Sequence, residues 1–169
     1  MSHSTSSVAL AQIGQYYRAM GGVLAKGAQH AKDRGVDEQT YLNWRLAPDM
    51  FTLTRQVQLA SDFGVRGMSR LAGVDPVSLP DTETTFMELQ ARLAKAWEIV
   101  SGLDAEAMAA DPDGEVTFPA GRDQTMTLPR GVYACNMIVP NVGFHAAMTY
   151  AILRHLGVPL GKRDFMGAA

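Results

Sequence analysis

The chain has 169 residues, 47% of them hydrophobic, which is enough for a single domain with its own core. Its formal net charge of −2 and isoelectric point near 6.0 provide no long-range attraction to nucleic acid or to an anionic membrane. We therefore expect one domain spanning residues 1–169, with neither nucleic acid nor a membrane among its partners.

The start of the chain, MSHSTSSVALAQIG, contains neither a charged segment nor a long apolar one, which argues against a secretion signal. No stretch of the sequence approaches the ~20 uninterrupted apolar residues that a membrane span needs. Cys135 is the one cysteine, so an internal disulfide is excluded and a reducing compartment fits. These features predict a cytoplasmic protein.

Helical periodicity dominates the first half of the chain. Apolar residues recur at three- and four-residue steps from about Ser7 to Arg34 and again from about Met50 to Ala72, and a short helical turn from Asp37 to Trp44 separates them. Gly64 and Gly67 fall on the apolar stripe of the second long helix. Because glycine lowers helix propensity, we expect these two residues at close contacts between helices.

A third helix and a β-hairpin follow. Thr85 and Glu88 form the T-x-x-E pattern of a capping box ahead of a helix that ends near Gly102. From Glu115 to Leu128 apolar residues alternate with polar ones on both sides of PAGRD, which predicts a small β-hairpin.

The last long helix is predicted from about Arg130 to Leu156, and Pro140 should kink it or split it in two. After this helix we expect the chain to dock against the body up to about Phe165, with Lys162 or Arg163 paired to a carboxylate. Four long amphipathic helices with a hairpin before the last one predict an all-α protein, an antiparallel four-helix bundle.

Three segments of the chain resemble the DinB/YfiT-like superfamily of bacterial metalloenzymes, and a domain-of-unknown-function branch of it most of all. They are RLAPDMFTLTRQVQLASDF (Arg45–Phe63), DTETTFMELQARL (Asp81–Leu93) and PNVGFHAAMTYAILRHLGVPLGKRDF (Pro140–Phe165). The resemblance implies an up-down-down-up four-helix bundle with a ligand site between the helices at one end. It also implies a homodimer, since many relatives pair through helix faces. Some relatives are thiol-dependent transferases or isomerases that use a metal held by three histidines.

The resemblance implies that one metal-binding histidine comes from the second helix and two, four residues apart, come from the last. His145 matches the first position on the last helix, but Thr149 occupies the next, and the second helix contains no histidine. His155 is ten residues beyond His145, roughly 15 Å along the helix axis, too far to share an ion. His3 lies in a leader predicted to be disordered and His30 at the polar end of the first helix. We therefore expect no cofactor and no stoichiometric metal, with any divalent ion at His145 weakly held.

Four polar residues remain as candidates for a ligand site: His145, Asn141, Gln56 and Asp49. Asn141 lies one helical turn before His145 on the same face. For His145, a core position with a satisfied hydrogen bond competes with a role as ligand or acid–base group. Gln56 either bonds two helices together or lines a pocket, and Asp49 either caps the second long helix or contributes to the site.

Other reactive residues have simpler interpretations. Cys135 has no basic neighbour in sequence, so a buried, inert thiol is favoured over a nucleophile. The i,i+4 pair of Asp62 and Arg66 is interpreted as a surface ion pair.

Two functions follow from these observations. In the first, the protein is a small-molecule-binding or degenerate member of the superfamily that lacks the full three-histidine metal site. In the second, it is a metal- or thiol-dependent transferase or isomerase with a rebuilt site centred on His145. The sequence alone does not decide whether the chain is an enzyme. Convergence of the four candidates on one cavity would favour a binding or catalytic role, whereas a dry, fully bonded His145 would favour a structural one.

Overall fold

The computed structural model describes residues 4–111 and 113–167, so the predicted leader with His3 lies outside the described residues. The helices are α1 (Thr5–Asp33), α2 (Glu38–Leu42), α3 (Leu53–Leu71), α4 (Phe86–Ser101), α5 (Ala105–Ala109), α6 (Arg130–Tyr133), α7 (Val139–His155) and α8 (Lys162–Phe165). The strands are β1 (Glu115–Pro119) and β2 (Thr125–Pro129), and Ala134–Ile138 form a turn of π-helix between α6 and α7.

The four long helices form one bundle. Helix α1 packs against α4 and α7, and α3 packs against the same two helices, so α1 and α3 lie on opposite corners. Their apolar stripes meet in a single core that includes Ile13, Leu53, Leu89 and Ile152, each fully buried. The predicted four-helix bundle with a hairpin before its last helix is confirmed. In the described ranges, none of the helices has the length and apolar character that crossing a bilayer requires.

The start of α3 differs from the prediction. Thr52 is the N-cap, since its side chain accepts a hydrogen bond from the Arg55 amide at 3.3 Å. Asp49, the predicted cap, lies instead in the exposed turn before the helix. Both residue types cap helices well, and the helix begins three residues later than expected because Phe51 and Thr52 keep an extended or irregular backbone.

The hairpin follows its predicted alternation. Val116 pairs with Leu128 and Phe118 with Met126 across the two antiparallel strands. Val116 and Phe118 are buried on the face that meets the body, whereas Glu115 and Thr117 are exposed. The strand period therefore places Phe118 against the bundle, beside the last long helix.

The last helical segment contains one wider turn immediately before Pro140. Proline has no N–H to donate to the carbonyl four residues back, here that of Asn136. The chain accommodates this with a π-turn in which the Val139 amide donates to the carbonyl of Ala134. Gly67 of α3 allows the close approach, because a Cβ there would lie 2.6 Å from Cγ1 of Ile138. The expected close contact at this glycine is thus confirmed.

The C-terminal segment docks against α1 and α7 as predicted, but through a different ion pair. The Phe165 ring lies 6.1 Å from that of Tyr16 and 5.9 Å from that of Tyr150. Asp164 pairs with Lys26 of α1, whereas Lys162 and Arg163 are exposed. The predicted ion pair through Lys162 or Arg163 was wrong, because the side of α8 that faces α1 is the one that carries Asp164.

Candidate functional site

His145 of α7 is bonded to Gln56 of α3. The imidazole Nδ1 lies 2.7 Å from Oε1 of Gln56, and the Gln56 amide nitrogen donates to the carbonyl of Phe51 at 3.3 Å. This second bond sets the amide so that its oxygen faces the ring. Nδ1 therefore carries the proton and donates it, which leaves Nε2 as the unprotonated nitrogen of a neutral imidazole.

Aromatic rings enclose this histidine. The Phe63 ring stacks on it with centroids 5.6 Å apart and an angle of 15° between the planes, and Phe144 meets it edge-on at 5.3 Å. His145 is 6% exposed. Burial, with a smaller contribution from the positive charge of Arg55, lowers the pKa of His145 to about 4. The imidazole is thus neutral near pH 7 and unsuited to carrying a proton there.

The donors at this position do not fit a tetrahedral transition-metal site. Thr149, where the resemblance implies a histidine, donates its hydroxyl to the His145 carbonyl at 2.9 Å. The α3 residue that is hydrogen-bonded to His145 is Gln56, whose carboxamide is a poor ligand for zinc or nickel beside a single imidazole. Over residues 4–111 and 113–167, no group of three or more His, Cys, Asp or Glu side chains could hold a metal ion.

A cavity lies next to this pair, between α3, β1, the π-turn and the start of α7. Its volume is about 190 Å³ and it opens to solvent. The polar side chains of its lining are Asp62, Arg66, Arg70, Tyr133 and Asn141. Phe63 and Phe118 form apolar walls, so the cavity combines polar groups with aromatic surface, as small-molecule sites do.

The polar groups of the cavity are held by neighbours within it. Arg66 bonds to Asp62 at 3.2 Å and is half-exposed. Nη1 of Arg70 lies 3.4 Å from the Tyr133 hydroxyl, and the buried Tyr133 ring packs on Phe118 with centroids 4.6 Å apart. The hairpin therefore fixes the tyrosine that in turn faces Arg70.

Asp62 connects the cavity to a buried ion network centred on Arg92 of α4. Arg92 is 4% exposed, and its guanidinium donates to Asp62 at 2.7 Å and to Glu83 at 2.9 Å. Further bonds reach the Ser61 hydroxyl at 2.6 Å and the Pro80 carbonyl at 2.8 Å. Burial alone would lower the pKa of Arg92, but the bond to Glu83 and the charges of the surrounding carboxylates raise it. The network ties the segment between α3 and α4 to the bundle.

Comparison with known proteins assigns the family. The sequence profile of the domain of unknown function DUF1993 matches residues 6–166. The chain belongs to the DUF1993 family. It is also similar to the crystal structure of a DinB family member protein from Shewanella denitrificans, with a TM-score of 0.85 and 34% sequence identity over 95% of this chain and 90% of the other. A search of curated proteins finds no match. The predicted resemblance to a DinB-like family of unknown function is confirmed.

The structure separates the four candidate residues that the sequence of this DUF1993 protein suggested. His145 and Gln56 meet, as described. Asn141 points elsewhere: it lines the cavity and donates to the Met137 carbonyl at 2.6 Å. Asp49 is exposed on the turn before α3. The candidates thus form a bonded pair, one cavity residue and one surface residue.

Sequence reasoning missed Arg92, Arg70 and Tyr133. One signal was available for Arg92, which lies three residues after Leu89 and next to Leu93, on the buried stripe of α4. A cation on an apolar stripe indicates a buried ion pair. The pair of Asp62 and Arg66 forms as expected, but Asp62 is buried rather than at the surface, because Arg92 approaches it from α4.

Cys135 is exposed, so the prediction of a buried thiol was wrong. The π-turn explains the difference. Its additional residue per turn directs Ala134 and Ile138 into the core and leaves Cys135 and Asn136 on the outside.

Lowering the pH from 7 to 5 should reduce the free energy of unfolding through His145. Its pKa near 4 in the folded protein lies below the unfolded value of about 6.5, so only the unfolded chain gains a proton in this interval. The contribution is complete above pH 6.5 and is lost as the pH falls towards 4. The loss of unfolding free energy between pH 7 and pH 5 amounts to about 1 kcal/mol after allowance for solvent screening. Urea unfolding at pH 7, 6 and 5 should show a smaller loss in His145→Gln; equal losses in both proteins would contradict this assignment.

We expect protein purified without a histidine tag to carry no stoichiometric transition metal, since one imidazole and a carboxamide make a weak, open site. Chelator treatment should leave the melting temperature unchanged. The measurement is elemental analysis of dialysed wild-type and His145→Ala protein. Zinc, nickel or iron at a ratio near one per chain, lost in the variant, would contradict this expectation and make a metal-dependent enzyme the better-supported function.

Proposed function

We propose that this DUF1993 protein binds a small anionic molecule with an apolar body in the cavity between α3 and the hairpin. The observation that supports this most is the combination of Arg66, Arg70 and the Tyr133 hydroxyl with aromatic walls in one solvent-connected space. Guanidinium groups bind carboxylates, sulfonates and phosphates through charge-assisted hydrogen bonds. Phe63 and Phe118 offer the surface on which an apolar body gains free energy by leaving water.

The alternative function, a transferase or isomerase centred on His145, has less support. The Nδ1 proton of this histidine is already donated to Gln56, and the pKa of the imidazole is lowered to about 4. His145 also lies behind Phe63 rather than in the cavity lining. A side chain that is neutral and hydrogen-bonded at pH 7 is better suited to joining two helices than to donating a proton as a general acid.

The test is isothermal titration calorimetry with phenylacetate, benzenesulfonate and phenyl phosphate, each beside a neutral analogue such as phenylacetamide. We expect heat from anions and none from neutral analogues. The double variant Arg66→Gln/Arg70→Gln should abolish the signal, because it removes both arginines from the lining. Arg18→Gln, which changes an exposed arginine of α1, is the matched control and should bind like wild type. Absence of binding by every anion, or unchanged binding in the double variant, would contradict the proposal.

We further propose that the protein is a homodimer in the cytoplasm. Several large aromatic side chains are exposed on the single chain, among them Trp44, Phe51 and Phe144. Exposed apolar surface of this kind is typical of an interface, and most small oligomers are two-fold symmetric. Light scattering should give twice the chain mass at high micromolar concentration; a monomer mass there would contradict the proposal.

A further inference from the structure

The ion-pair network that includes the cavity residues Asp62 and Arg66 contains equal numbers of positive and negative groups. Asp62 accepts from Arg66 and from Arg92, Arg92 also pairs with Asp81 and Glu83, and Arg55 pairs with Asp81. Three guanidinium groups thus face three carboxylates in one connected network. The members are Arg55, Arg66, Arg92, Asp62, Asp81 and Glu83. Arg66 is therefore already neutralised within the protein.

Arg70 stands outside this network. Within residues 4–111 and 113–167, no carboxylate lies within 4.0 Å of its guanidinium. It occupies the last turn of α3, where the carbonyl end of the helix favours a cation. Among the residues that the structure describes, its side chain makes one hydrogen bond, a long one of 3.4 Å to the Tyr133 hydroxyl. Arg70 consequently brings a positive charge and several N–H donors to the cavity.

Tyr133 adds a second hydrogen-bond donor to the cavity. Its hydroxyl oxygen accepts from Arg70, and no acceptor for its proton occurs in the described part of the chain. Since Tyr133 is buried and packed on Phe118, the fold holds its hydroxyl oxygen in place in the cavity lining. An arginine fork beside a phenolic O–H presents hydrogen-bond donors to one oxygen-rich anion.

The number of uncompensated cations limits the charge that the cavity accepts. Asp62 lines the same cavity two helical turns before Arg70, roughly 12 Å away along the axis of α3, and is itself paired with Arg66 and Arg92. Arg70 therefore supplies the uncompensated charge of the described lining, and a second negative charge on the ligand would have no cation there to pair with. The cost of removing an unpaired charge from water disfavours such a ligand.

We infer that the ligand carries a single negative charge, a carboxylate held by Arg70 and Tyr133, and that Arg70 and not Arg66 determines this selectivity. The inference rests on the proposed function and specifies its ligand class. The apolar body of the ligand then extends along α3 towards Phe63. A monocarboxylate fills this site without leaving either an arginine or a carboxylate unpaired.

The experiment compares 3-phenylpropionate, a monoanion, with 2-phenylethyl phosphate at pH 8, where the phosphate is a dianion. Calorimetry on wild type should show the carboxylate binding at least as tightly as the phosphate. Arg70→Gln should weaken carboxylate binding by about 10–100-fold and Tyr133→Phe by about fivefold, as loss of charge-assisted bonds implies. Arg66→Gln should weaken it by about threefold or less.

Thermal melts of each variant establish that it is folded, and Arg70→Lys, which keeps the charge but not the fork, should bind with intermediate affinity. The inference is overturned if Arg66→Gln weakens binding more than Arg70→Gln, or if the phosphate binds tenfold more tightly than the carboxylate. Failure of wild type to bind any anion overturns the proposed function itself, which is a separate outcome.

Discussion

Replacing Arg92 with methionine should lower the free energy of unfolding by about 3–5 kcal/mol. Methionine fills a similar volume but leaves Asp62 and Glu83, both of which bond to Arg92, without their shared cation. The loss of one partner from a buried ion network costs far more than the network contributes relative to an apolar core, because the remaining charges stay out of water. Urea denaturation monitored by circular dichroism measures the effect.

The matched control lies three residues beyond Arg92 on the same helix. Lys95 of α4 pairs with Glu98 on the surface at 2.9 Å, and Lys95→Met should change the free energy of unfolding by about 0.5 kcal/mol or less. Adding Glu83→Gln to Arg92→Met should recover part of the loss, since it removes the carboxylate that Arg92 neutralises, whereas Asp62 keeps its pair with Arg66. A loss below 1 kcal/mol for Arg92→Met would mean that the network is open to water.

Replacing Gly64 with alanine should cost about 2–4 kcal/mol, from overpacking and a lost buried hydrogen bond. A Cβ at this position would run into the hydroxyl of Tyr17. That hydroxyl is buried between α1 and α3 and donates to the carbonyls of Ala60 at 3.3 Å and Ser61 at 3.1 Å. The new methyl group must push the ring away or separate the helices, and either movement breaks these bonds.

Gly22→Ala is the control for the effect of replacing a helical glycine with alanine where no packing contact is disturbed. Gly22 lies within α1 and nothing occupies the space within 4 Å of an added Cβ, so alanine there should stabilise the protein by about 0.5–1 kcal/mol. Thermal unfolding of the two variants should move the melting temperature in opposite directions. Stabilisation by both would show that helix propensity outweighs the packing contact at Gly64.

Local patterns in the sequence were sufficient for most of the fold. The Thr85 capping box forms with Glu88, and the alternation in the hairpin gives the observed burial of Val116 and Phe118. Helix boundaries were less certain where two capping residues compete, as with Asp49 and Thr52. An apolar pattern with the α-helical period of 3.6 residues does not reveal a π-turn, so the exposure of Cys135 could not be predicted.

The candidate site was predictable only in part. His145 and Gln56 were identified singly, but their pairing depends on how α3 and α7 are aligned, which no local pattern specifies. The cavity draws on Arg70, Phe118 and Tyr133, residues from three elements that are far apart in sequence. Whether an arginine is neutralised depends on which carboxylates the fold brings to it, and α3 carries two arginines in ion pairs, Arg55 and Arg66, beside Arg70, which is in none among the residues that the structure describes.

The most direct test of the ligand cavity is a crystal structure of this DUF1993 protein soaked with 3-phenylpropionate. The carboxylate should lie within hydrogen-bond distance of Arg70 and the Tyr133 hydroxyl, with the phenyl ring against Phe63, and the bond between His145 and Gln56 should be unchanged. Density for the ligand beside His145, in place of the Gln56 amide, would contradict the account and assign the site to the position that the superfamily resemblance first suggested.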